Sequence, residues 1–195
     1  VLVIGPGLGT SVSSREREQW FLSAAAKEKK PVILDADGLN LLAAHPKWKE
    51  FLGENVILTP HIGEMSRLCK KSIAEIQGAI AETASDYAEK TGAVCVLKDA
   101  CTVISDGKGT LYLNLSGNSG MATAGSGDVL AGLLGAVCCM YLAEEEQPPM
   151  VQKAALGVYL HGLCGDIAAG KKGKRGMLAG DIIKNLPAAL SEGEA

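Results

Sequence analysis

The sequence predicts an α/β fold, a mostly parallel sheet with helices on both faces and an antiparallel hairpin near its end. Two observations carry this reading. Four short apolar runs, Val1–Ile4, Val32–Leu34, Val56–Leu58 and Val94–Leu97, alternate with stretches of helical periodicity. After the fourth run, Thr102–Ser105 and Thr110–Leu115 flank Asp106-Gly107-Lys108-Gly109, a hairpin signal. Each run gives way to a turn rich in glycine, proline or polar residues, and open α/β sheets bind ligands beyond the carboxyl ends of their strands.

Composition narrows the function classes. The 195 residues are 47% hydrophobic and 21% charged, with 24 glycines and only 4% aromatics, as suits a compact fold with many tight strand–helix turns. A net charge of −3 offers no broad basic field for nucleic acid or an anionic membrane. The six cysteines form no C-x-x-C pair and read as small buried hydrophobes of a reducing compartment, not as a disulfide frame or zinc site. With no long apolar span and no signal peptide, the expected location is the cytoplasm. No linker, repeat or low-complexity segment divides the chain, so residues 1–195 are expected to be one domain. It opens on a strand without an initiator Met, so the expectation is that the natural chain began earlier.

The first strand runs into Gly5-Pro6-Gly7-Leu8-Gly9, which is not the G-x-G-x-x-G of a dinucleotide fold. Ser13–Lys29 reads as a helix with Trp20, Phe21, Ala24 and Ala25 facing inward, ended by Pro31. The second strand delivers Asp35-Ala36-Asp37-Gly38-Leu39-Asn40, carboxylates and an amide suited to a metal or polar ligand; alternatively Asp37 caps a helix starting near Leu39. The third ends in Thr59-Pro60-His61, where His61 is either structural or a ligand contact. Ser72-x-x-Glu75 is a capping box opening one helix to Gly92, with Ile73, Ile76, Ile80, Ala84 and Tyr87 inward. The fourth strand leads into Lys98-Asp99-Ala100-Cys101-Thr102. A helix from Val151 carries His161 and Asp166, and Ala179–Ile183 opens a capped terminal helix. The basic cluster Lys171, Lys172, Lys174, Arg175 is a solvated loop or a phosphate contact.

The stretch Gly117–Gly135 organises the rest. Its Gly125-Ser126-Gly127-Asp128 feeds a helix whose Leu130, Leu133, Leu134, Val137 and Tyr141 recur at three- and four-residue steps. A glycine loop at a helix start is an anion site, because unpaired N–H groups and the macrodipole meet there. Asp128 is then either an N-cap or a base beside bound phosphate.

Taken together, the segments GPGLG (Gly5–Gly9), DADGLN (Asp35–Asn40), LTPHIGE (Leu58–Glu64), KDACTVI (Lys98–Ile104), GNSGMATAGSGDVLAG (Gly117–Gly132) and YLHG (Tyr159–Gly162) resemble, in order and spacing, the ADP/ATP-dependent NAD(P)H-hydrate dehydratases of the ribokinase-like superfamily. The resemblance spans this chain and about the last two-thirds of the family domain, so the domain is expected to lack its N-terminal portion. It implies a three-layer α/β/α fold. It also implies nucleotide contacts from Lys98, Asp99, Ala100, Cys101, Thr102, Gly125, Ser126 and Gly127. Gly7, Gly9, His61 and Asp128 would line the hydrated nicotinamide nucleotide, with Asp37 and Asn40 on the same edge. Asp128 would be the catalytic base, Mg²⁺ the companion of ADP or ATP, and no metal ligand set is assigned. A homo-oligomer is expected by the same likeness. Asp99 departs from the family's usual glycine, Ser119 from its proline and Ala124 from its glycine. The readings set beside it are a small-molecule kinase of the same superfamily, acting on a vitamin-precursor alcohol, and a nucleotide-binding regulatory protein without turnover.

Overall fold

The computed structural model describes residues 1–191. Six strands form one sheet in sequential order: β1 (Leu2–Ile4), β2 (Val32–Leu34), β3 (Val56–Leu58), β4 (Val94–Leu97), β5 (Thr102–Ser105) and β6 (Leu111–Asn114). The first four are parallel, with Val32 beside Leu2 and Val56 beside Val32; β4–β5 and β5–β6 are antiparallel. The apolar runs behave as predicted because side chains alternate across the sheet and both faces are covered. Leu34, Leu58 and Leu97 pack on one face with Leu22, Leu42, Met65 and Ala84, while Ile33, Ile57 and Val96 pack on the other with Leu130, Leu134 and Val158.

Sequential parallel strands joined by right-handed crossovers put their connecting helices on one face. That layer holds α1 (Val12–Glu28), α2 (Ala36–Ala44), α3 (Ile62–Cys69), α4 (Ile73–Gly78) and α5 (Ile80–Thr91). The opposite face carries α6 (Ser126–Met140) and α7 (Met150–Lys172). Helices α8 (Ala179–Lys184) and α9 (Leu186–Ser191) pack against these two through Val137, Leu160, Cys164 and Ile182. Lys172 Nζ pairs with Asp181 Oδ1 at 2.7 Å and Lys171 Nζ donates to Asn185 Oδ1 at 2.6 Å, so half of the basic cluster ties α7 to the terminal helices.

Four sequence expectations are corrected. The inward stripe of α1 is Ser14, Glu18, Leu22 and Ala25, whereas Trp20 is 66% exposed and stacks edge-on with Phe21. The rotation of α1 is set at its start, where Ser14 Oγ donates to Leu8 O at 2.8 Å, not by its aromatics. The helix expected from Ser72 to Gly92 is two helices broken at Ala79, directly after the poor helix former Gly78, and Ile73 is exposed. On α6, Leu130, Leu134 and Val137 are buried but Leu133 and Tyr141 only partly so, since Tyr141 already lies past the last turn. A second terminal helix, α9, follows the capped one. The capping box at Ser72 and Glu75 and the Asp106–Gly109 hairpin form as read.

Candidate active site

Helix α6 begins on Gly125, whose φ of 86° places it in the left-handed region that glycine tolerates. The first intrahelical bond runs from Val129 N to Gly125 O, so the N–H groups of Gly127 and Asp128 precede the ladder. The N-cap is therefore Gly125, and the N-cap reading of Asp128 falls. Asp128 sits in the first turn, exposed, with no hydrogen bond or ion pair among the described residues. Two residues of α7 fix this loop. Asp166 accepts from Gly117 N at 2.8 Å and from Asn118 Nδ2 at 2.9 Å. His161 lies 3.0 Å from Ser126 O through Nε2, and burial pushes its pKa down to about 4, helped by the Lys98 charge and opposed by the Ser126 carbonyl. At neutral pH the ring is thus uncharged and its Nε2–H donates to that carbonyl.

Lys98 follows β4 and its Nζ donates to Asp35 Oδ1 at 2.8 Å, with Asp35 only 2% exposed. A Cβ built on Gly127 would lie 3.5 Å from that ammonium, so a cation stands against the start of α6. Between Asp35 and Asp37 the chain turns through Ala36 at φ 49°, a left-handed conformation that costs a non-glycine residue energy. The turn sends the two carboxylates to different tasks. Asp37 Oδ2 accepts from Gly9 N at 2.9 Å, Asn40 Nδ2 lies 3.4 Å from Asp37 Oδ1, and Arg67 Nε donates to Asn40 Oδ1 at 2.9 Å. Asp37 is therefore no helix cap, since the helix starts before it and its carboxylate holds the Gly7–Gly9 loop, where both glycines have positive φ. Beneath lies Glu18, fully buried, both oxygens without a partner among the described residues, its pKa pushed up to about 8 by burial and by the Asp37 charge.

His61 proves to be structural and available at once. It caps α3, with Nδ1 accepting from Gly63 N at 2.9 Å while Glu64 Oε2 accepts from His61 N at 2.9 Å. Its side chain is nonetheless 54% exposed on the carboxyl edge, beside Lys98 through an isolated bridge. Asp99 and Ala100 are exposed, and Asp99 has no hydrogen bond or ion pair among the described residues. Cys101 and Thr102 are half-buried, Cys101 Sγ contacting Asn114 O at 3.4 Å. The fold thus gathers the glycine loops, Asp37, Asn40, His61, Lys98 and Asp128 on one edge. The sequence offered Asp35 to a metal or polar ligand, whereas the structure pairs it with Lys98. It assigned no role to His161, Asp166 or Arg67; the first two stood on a named helix, but Arg67 and Glu18 lie mid-helix with no local signal. No group of three or more His, Cys, Asp or Glu side chains is placed to cage a metal among the described residues.

A helix start with backbone N–H groups outside its ladder, a carboxylate without a partner among the described residues and an adjacent lysine stand together at the carboxyl edge of a parallel sheet covered on both faces, the setting in which α/β proteins commonly receive phosphate groups. The comparisons name the family. The chain belongs to the NAD(P)H-hydrate dehydratase family, whose model matches residues 1–188. It is 42% identical over 193 residues to the bifunctional NAD(P)H-hydrate repair enzyme Nnr of Thermofilum pendens, covering 97% of this chain and 34% of that one. Among solved structures it is similar to the ADP/ATP-dependent NAD(P)H-hydrate dehydratase of Bacillus subtilis co-crystallised with ATP/Mg²⁺ and soaked with CoA (30% identity, TM-score 0.76, 97% of this chain and 65% of that one). A ribokinase-like superfamily protein of Enterococcus faecalis aligns at 29% identity and TM-score 0.81, over 98% of this chain and 63% of that one, so the fold is ribokinase-like. The chain spans about a third of the length of the Thermofilum relative and just under two-thirds of the solved ones.

Proposed function

We propose that this chain returns the S epimer of hydrated NAD(P)H to NAD(P)H at the expense of ADP or ATP. The observation that carries the reading is the unpaired Asp128 carboxylate one residue beyond Gly127, at a helix start flanked by Lys98. Hydroxide leaves the hydrated ring poorly and phosphate leaves well. Asp128 accepts the proton of the ring hydroxyl as that oxygen bonds to the terminal phosphorus and the bridging P–O bond breaks, releasing AMP or ADP. The N–H groups of Gly127 and Asp128, with Lys98, hold the charge on the transferring group. The ring nitrogen lone pair then expels phosphate, and loss of a proton from the neighbouring carbon restores the C=C bond. Asp37 positions the Gly7–Gly9 loop for the dinucleotide, and His61 and Asn40 face the same ligand. Mg²⁺ would be held chiefly by nucleotide phosphate oxygens, where the ion would neutralise phosphate charge.

The test is recovery of dihydronicotinamide absorbance from hydrated NADH with ADP, with ATP and with neither. Recovery in the presence of either nucleotide, with release of phosphate, is expected. Accumulation of a phosphorylated alcohol product instead would move the kinase reading ahead; tight nucleotide binding with no turnover would favour the regulatory one. We also infer a homo-oligomer, supported by the edge strand β6, whose Leu113 is 56% exposed next to Leu115 at 87%. A subunit-sized mass by light scattering at micromolar concentration contradicts it.

A further inference from the structure

The helical layer holds a second concavity, remote from the glycine loops. A cavity of about 270 Å³ opens between α2, the 3-10 helix Pro46–Phe51, the end of α3 and α5. Lys49 precedes β3 and Lys90 precedes β4, so this cavity lies toward the amino ends of the strands, whereas Asp128 and His61 stand at the carboxyl edge.

Its lining is chemically specific. Four lysines, at positions 49, 70, 71 and 90, contribute to it against a single aspartate, Asp86, in a chain whose net charge is −3. Among the described residues, Lys71 is the one ion-paired there, at 3.8 Å from Asp86; Lys49 instead stands 5.1 Å above the centre of the Tyr87 ring. Residues 83, 87 and 90 recur at helical steps, so one face of α5 supplies the floor. Two floor residues carry an unusual feature. Thr83 and Tyr87 are 2% and 3% exposed, and neither hydroxyl has a hydrogen-bond partner among the described residues. Buried hydroxyls are costly when unpartnered, and Thr83 forgoes the bond to a preceding carbonyl by which a helical threonine commonly escapes that cost. Burial also pushes the Tyr87 hydroxyl pKa up, so it remains a neutral donor. Leu42, Ala43 and Leu68 complete an apolar wall.

We propose that this cavity is a second ligand site, for a small phosphate monoester distinct from the nucleotide at the α6 start. A dianionic phosphate matches the surplus of ammonium groups at the rim, and a shift of the covering side chains on binding gives its oxygens to the orphan hydroxyls below, which solvent does not reach in the free protein. The volume lies just under the range of drug-sized pockets, which limits the organic part to about the size of a pentose. The ring of Tyr87 and the leucines fit its non-polar face.

The test is a titration of the intact chain with ribose 5-phosphate, read by backbone amide shifts, beside ribose and inorganic phosphate as controls. The site predicts saturable shifts at Thr83, Asp86, Tyr87 and Lys90 with ribose 5-phosphate, weaker ones with inorganic phosphate and none with ribose. The double variant Lys49→Ala/Lys90→Ala should weaken binding at least tenfold. Thr83→Val should raise the unfolding midpoint of the free protein yet weaken ribose 5-phosphate several-fold, a pairing that a purely structural threonine would not give. Shifts confined to Gly125–Asp128, equal shifts with ribose, absence of saturation, or unchanged affinity in the double variant would each overturn the proposal. Because the readout is binding at α5, it stands or falls independently of dehydratase turnover.

Discussion

At the scale of single residues, the site is made by carboxylates whose surroundings differ. Asp35 is paired with Lys98, Asp37 holds the Gly9 amide, and Asp128 has no partner among the described residues. Glu18 is the fourth and the most strained. Its pKa of about 8 against an ordinary 4.5 means the folded protein holds a proton that the unfolded chain has released. Its contribution to stability is fully present below about pH 4.5 and is lost as pH rises to about 8. Glu18→Gln, neutral at every pH, should flatten that slope and stabilise the protein at pH 8 by roughly 3–5 kcal/mol, the value of so large a displacement. Denaturant unfolding of both proteins between pH 5 and pH 8 checks it, and parallel pH profiles would contradict the burial of an uncompensated carboxyl. None of this was legible in the sequence, where Glu18 reads as one of several charges on a polar helix. His61 and Asp128 were legible because each follows directly from a strand end or a glycine turn. The Asp35–Lys98 pair was not, since its partners stand 63 positions apart.

At the scale of elements, the strands and the hairpin were readable because their patterns are local. Val32–Leu34 and Val56–Leu58 are buried on both faces and so appear as unbroken apolar runs. The rotation of α1 was misread because the bond from Ser14 back to Leu8, not its own aromatics, goes with the face that turns inward. The same kind of tie holds the α6 start. Helix α7 reaches back with Asp166 to the Gly117 amide and with His161 to Ser126, so one long helix holds both ends of the glycine loop. Asp166→Ala removes two hydrogen bonds to an exposed loop and should cost only about 1–2 kcal/mol of stability. Its effect on the Km for ADP or ATP should be larger, a rise of several-fold, because the loop loses its anchored geometry. Steady-state kinetics beside thermal unfolding separate the two, and an unchanged Km would mean that the loop holds its shape without α7.

At the scale of the whole molecule, the ends of sequentially ordered strands bring Asp37, His61 and Lys98 to one edge of a sheet packed by helices on both faces. The glycine-capped start of α6 enters this edge from one layer, and the Gly9–Asp37–Asn40–Arg67 chain from the other. In the proposed reaction, phosphate donor and hydrated ring would meet at this edge from the two layers, with Asp128 between them. The most direct measurement is nucleotide-dependent recovery of NADH from its hydrate by Asp128→Asn beside the unaltered protein, with ADP and ATP affinity measured in parallel. A catalytic base predicts a fall in turnover of roughly 10²–10⁴-fold with the fold and most of the nucleotide affinity retained. Asparagine has nearly the shape of aspartate without its basic carboxylate, so turnover preserved in Asp128→Asn would contradict the assignment of this carboxylate and the mechanism built on it.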